Sequence, residues 1–95
     1  MIASEPTLKC VIAWSDRRNL CSIVEDAMRA RIPPDSVLRL TDDILVVDAV
    51  NEPAEIRDWV RSALEDSESV LVVEFERWSG YGTGVDSHWL MRRGH

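Results

Sequence analysis

Apolar positions along the chain follow two rhythms. "LKCVIAW", Leu8 to Trp14, is a short apolar run with polar flanks and predicts a buried strand at the centre of a sheet. Beyond a polar break, Leu20, Ile23, Val24, Ala27 and Met28 fall on the i, i+3, i+4, i+7, i+8 stripe of an amphipathic helix. Pro33 and Pro34 end that helix, because proline offers no amide and pushes its predecessor out of the helical region. Two further apolar runs, Val37 to Leu40 and Ile44 to Ala49, flank Thr41, Asp42 and Asp43 and predict a hairpin. A second helical stripe follows at Ile56, Val60, Ala63 and Leu64, with Trp59 beside it and Pro53 in the first turn, where a missing amide costs little. Val70 to Trp78, "VLVVEFERW", predicts the last strand.

The order β-α-β-β-α-β predicts an α+β fold of the split-βαβ or ferredoxin-like kind. It is a four-stranded antiparallel sheet with strands one and three in the middle and both helices on one face. Strand four alternates Val70, Val72, Glu74 and Glu76 on one side with Leu71, Val73 and Phe75 on the other. The second set is assigned to the helices, which leaves an open face apolar at one end and acidic at the other. A sheet covered on one face must be solvated, dimerise, or receive its own tail. The tail, residues 79–95, is expected to act as a C-terminal strap. Trp78 continues strand four, the glycines of "GYGTG" turn the chain back, and Trp89, Leu90 and Met91 supply a last apolar group. Trp78, Tyr81, Trp89 and Leu90 are therefore the candidate interface residues, since aromatic anchors suit an interface better than catalysis.

Ninety-five residues suit one domain, taken as 8–95 with residues 1–7 loose. No run reaches the roughly 18 apolar residues of a membrane span, and "MIASEPTLK" lacks the order of a secretory signal, so a cytoplasmic protein is expected. The net charge of −6 disfavours nucleic acid as a partner unless positive charge is gathered on one face. Strand three, "ILVVDAV", has no aromatic or basic residue, which excludes base stacking of the RNA-recognition kind on that strand. Cys10 and Cys21 are too far apart for a C-x-x-C site and are expected to be buried thiols.

Candidate chemistry is sparse. Asp16 lies between strand one and helix one, and its plainest role is a helix N-cap. Two copies brought together on a dyad could instead hold Mg2+ or Mn2+ as the catalytic acids of a nuclease; otherwise no cofactor is expected. Arg17 with Arg18, and Arg92 with Arg93, would bind a phosphate if they converged, and are more simply solvated surface charges. His88 has Asp86 nearby and His95 sits at the chain end, which is no ligand set for a metal. "GYGTG" lacks the lysine and helix start of a phosphate loop.

The stretches "TDDILVVDA", "EPAEIRDWV" and "SVLVVEFERW", then W-x-G-Y-G and the pair Trp89 and Leu90, resemble small bacterial proteins of the SinR-like group. These sit near the ferredoxin-like superfamily that includes VapD, GhoS and the small CRISPR adaptation protein. The resemblance covers the last two-thirds of the chain. It implies a homodimer or a protein partner in a toxin–antitoxin or defence setting, and a metal-dependent endonuclease as the alternative. In the nuclease members an aspartate directly follows the aromatic residue that ends strand one. Here Ser15 intervenes between Trp14 and Asp16, which on a strand would turn the acid to the other face.

Overall fold

The structure is a computed structural model that describes residues 5–95; of the segment expected to be loose, residues 1–4 lie outside the described residues. The elements run β1 (Thr7–Trp14), α1 (Cys21–Arg29), β2 (Val37–Arg39), β3 (Ile44–Ala49), α2 (Pro53–Arg61), β4 (Ser69–Phe75) and α3 (Ser87–Arg92). Thr7, expected in the loose segment, already belongs to the first strand. The four strands form one sheet in the order β2-β3-β1-β4, and every neighbouring pair is antiparallel. Strands one and three therefore lie in the middle, as the crossovers predict.

Local signals set the element ends. The Asn19 side-chain carbonyl accepts the Cys21 amide at 2.8 Å, so α1 starts there with Leu20 at the N-cap position. Asp16, five residues earlier, sits in a bend and caps nothing; Asn19, whose side chain is of the same length, lies where the first free amide is. Pro53 opens α2, and the Glu55 carboxylate reaches back to the Glu52 amide at 3.4 Å. In the hairpin, the Thr41 hydroxyl accepts the Asp43 amide at 3.1 Å while Arg39 pairs with Asp42.

Register decides which residues meet which layer. Val11 lies opposite Leu45 and Val72, and Ala13 lies opposite Val70. These odd positions of β1, with Val37, Leu45 and Val47, pack against Leu20, Val24 and Met28 of the first helical segment and Ile56 and Val60 of α2. Val70 and Val72 join this helix side, which corrects the assignment of Leu71, Val73 and Phe75 to it. The reason lies at Glu74. Its carboxylate accepts the Thr7 hydroxyl at 2.7 Å and stands 3.6 Å from the ammonium of Lys9, a buried residue on the helix side of β1. Glu74 marks the rim of the helix side and not an acidic open face.

Strand four is also shorter than expected and ends at Phe75, so Trp78 lies outside it. Across the second face, Trp89 and Leu90 of α3 pack on Leu8 and Val46, with Leu38, Leu40, Phe75 and Trp78 around them. Met91 faces away and is exposed. A carbon added at Gly80 would stand 2.6 Å from a Val85 methyl, and Gly82 has φ +107°, so these two positions of the turning loop need glycine.

Removing side-chain volume should cost unequally on the two faces. Ile56→Ala, at a fully buried site, should lose about 2–5 kcal/mol in urea denaturation. Leu71→Ala should lose less than about 1 kcal/mol. Equal losses would contradict the parity found for β4.

Candidate functional site

Three places bring chemistry-bearing residues together, and they are separate. The loop after β1 carries Asp16, Arg17 and Arg18, all exposed. Asp16 has no set of ligand residues around it: among the described residues no group of three or more His, Cys, Asp or Glu is placed to hold a metal ion. Arg18 turns from the loop to Glu68, donating from Nε and Nη2 to the two carboxylate oxygens at 2.7 Å each, a bidentate pair. The Arg18 guanidinium and then the Glu65 amide, which donates at 2.8 Å, hold the Glu68 carboxyl down to a pKa of about 2. This pair ties the loop to the entry of β4.

Arg93 lies at the other end of the sheet. Asp48 is a buried carboxylate of β3, on the open face beside Leu8. Arg93 Nε donates to Asp48 Oδ2 at 2.8 Å, its Nη2 to the Ser36 hydroxyl at 2.8 Å and its Nη1 to the Asp35 carbonyl at 3.1 Å. His95 Nε2 stands 3.0 Å from Asp48 Oδ1. Trp89 Nε1 donates to the Asp35 carbonyl and Trp78 Nε1 to the His95 carbonyl, both at 3.1 Å, while the Arg93 guanidinium lies over the Trp89 ring at 5.2 Å. His95, expected at a frayed end, is thus part of an anchor. Asp86 caps α3 by accepting the Trp89 amide at 2.9 Å and is no partner for His88. The two arginine pairs do not converge, since six strand residues, about 20 Å, separate the ends of β1 that they flank. Arg17 and Arg92 stay exposed.

The third place is the part of the open face that α3 does not reach. Register aligns Cys10 with Val73 and Ile12 with both Ile44 and Leu71, and Trp14 ends the row. Trp14 is 47% exposed, Leu71 51% and Val73 43%. A contiguous apolar strip thus runs along β1 and β4, away from the strap. Two open grooves of about 640 and 250 Å3 follow the outer side of the same strand, and Arg57 and Val70 line both. Of the expected interface residues, Trp89 and Leu90 are buried on their own sheet, Trp78 is half-buried against the tail, and Tyr81 is fully exposed in the loop. The strip of Leu71, Val73 and Trp14 escaped the sequence reading because the parity of β4 was taken the other way round.

Both thiols are free, and burial pushes Cys10 and Cys21 up from their ordinary pKa, away from nucleophilic chemistry at neutral pH. No helix is long and apolar enough to cross a membrane among the described residues. Compared with protein-family models, curated proteins and solved structures, the chain matches none.

Two outcomes follow from the ion pairs. Because the Glu68 pKa is lowered on folding, its contribution to stability is full above about pH 4.5 and is lost as the pH falls toward about 2. Glu68→Gln should therefore flatten the acid limb of a stability–pH curve in that window and leave its shape unchanged at neutral pH. Arg93→Ala leaves the buried Asp48 short of its main partner, which should cost about 3 kcal/mol and open residues 79–86 to limited proteolysis. A tail equally protected in the variant would contradict the anchor.

Proposed function

We propose that the protein is a small ferredoxin-like domain that acts by association, as a homodimer, in the cytoplasm. The strand order β2-β3-β1-β4, with both crossover helices packed on one face, supports the fold reading. A single observation carries the functional one. The strip of Ile12, Trp14, Leu71 and Val73 is apolar and uncovered on a face that the chain has gone to some length to cover elsewhere. Exposed apolar side chains scattered singly need no explanation, whereas a strip on adjacent strands marks an association surface.

A bacterial toxin–antitoxin or defence setting is the context in which such a dimer would work; it rests on the resemblance to the SinR-like group. The metal-dependent nuclease built on paired Asp16 carboxylates has the same resemblance behind it and no feature of the site in its favour.

Light scattering should find a dimer in the micromolar range. The double variant Leu71→Lys/Val73→Lys should weaken it at least about tenfold, roughly 1.4 kcal/mol, with the melting temperature nearly unchanged. A wild-type monomer throughout the range, or a dimer indifferent to both lysines, would overturn the proposal.

A further inference from the structure

The uncovered strip ends at an edge. Among the described residues, strand β4 has β1 on one side and no strand on the other, and it runs for seven residues without proline. Which backbone groups that edge offers follows from the pairing. The Ala13 amide donates to the Asp43 carbonyl at 3.0 Å, so the odd positions of β1 turn their backbone groups toward β3 and the even positions toward β4. The even positions of β1 face odd positions of β4, Cys10 with Val73 and Ile12 with Leu71. The amides and carbonyls of Val70, Val72 and Glu74 therefore point outward from the sheet and have no hydrogen-bond partner among the described residues.

We infer that a second copy of this chain pairs its own β4 antiparallel to this edge, with the two-fold axis at Val72, giving a continuous eight-stranded sheet. The inference rests on the association reading above and gives that association a surface and a register. Three features of the edge agree on this register.

The first is hydrogen bonding. With Val72 opposite Val72, Val70 lies opposite Glu74 of the second copy and Glu74 opposite its Val70, so every outward amide and carbonyl of the three residues finds a partner. A slip by one residue would set these groups against inward-turned ones. The second is packing. Leu71 then faces the second copy's Val73, and Val73 its Leu71, at positions of the ladder where side chains approach most closely. The exposed apolar strip thereby becomes a four-residue cluster across the axis.

The third is charge. Glu74 is an acid on the helix side of the strand, 46% exposed at its side chain. In this register it projects beside Val70 of the other copy. Val70 shares both grooves of the edge with Arg57, whose guanidinium, among the described residues, pairs with the half-exposed neighbour Asp58 at 3.1 Å. Each copy would so bring one carboxylate to one arginine of the other. Where the strand ends, Glu76 comes opposite the second copy's Glu68, and that acid already has Arg18 bound to both its oxygens.

Proline at position 72 tests the edge, because the outward amide it removes takes no part in the fold; edge strands accept proline on that side. Val72→Pro should give a folded monomer by light scattering and circular dichroism. Arg57→Glu, at an exposed position outside the fold's own contacts with Lys9, should raise the dimer Kd about tenfold, whereas Arg57→Lys, which keeps the charge that meets Glu74, should leave it nearly unchanged. Should the proline variant fail to fold, amide exchange of the wild type supplies the same test. The amides of Val70, Val72 and Glu74 should lose protection on dilution while those of Leu71 and Val73 keep it. A dimer that persists in Val72→Pro, or one as tight in Arg57→Glu as in the wild type, would overturn the edge pairing and leave association through the sheet face standing. A wild-type monomer at every concentration would remove both.

Discussion

A carboxylate set into an otherwise apolar sheet face governs how this chain ends. Asp48 lies buried on β3 among Leu8, Val46 and the strap, where an unpaired charge would cost several kcal/mol. Arg93 and His95, from the last three residues of the chain, provide its partners. The tail is thus drawn back to one particular point of the sheet, and the hydrophobic contacts of Trp89 and Leu90 are made there and not elsewhere along the strands. Hydrophobic burial alone has no such directional preference. The polar anchor selects the place, and the aromatic and aliphatic side chains supply most of the stabilisation.

That placement leaves the second face divided. Six residues of helix cannot span the whole sheet, so α3 covers Leu8, Val46 and the Phe75 end of β4 and leaves Ile12, Trp14, Leu71 and Val73, at the other end of β1 and β4, uncovered. The two ends of the sheet are closed by different ion pairs, Arg18 with Glu68 at one and Arg93 with Asp48 at the other. The Arg18–Glu68 pair borders the strip where Trp14 lies opposite Ser69, whereas the Arg93–Asp48 pair lies at the far end of β1. The apolar strip is the surface that remains once the chain has satisfied its own charges.

Much of this architecture was legible in the sequence, because strands and helices write their periods into consecutive residues. The hairpin at Thr41 to Asp43 and the helical stripes around Val24 and Val60 depend on local patterns and are present in the structure, although α2 ends at Arg61, before Ala63 and Leu64 of the expected stripe. The facing of β4 was not legible. Both of its parities are apolar from Val70 to Val73, and the deciding contact, Glu74 with Thr7 and Lys9, joins positions 67 and 65 residues apart. A lone lysine inside "LKCVIAW" was the available signal, since a lysine on a central strand needs an acceptor to be buried. Likewise Asp48 inside "ILVVDAV" called for a cation, but nothing local to the strand says that Arg93 rather than Arg92 would answer. Asp16 misled for the converse reason: its type suits an N-cap, yet the helix begins only where Asn19 stands.

On the pairing inferred above, the chain covers one end of its second sheet face with its own tail and offers the other end, with the β4 edge, to a second copy. Small-angle X-ray scattering over a dilution series addresses it directly, since a single chain has a radius of gyration of 13.2 Å over its Cα atoms. The account predicts a larger, elongated particle at high concentration whose radius falls toward the single-chain value on dilution. A radius near that of one chain at every concentration would contradict it.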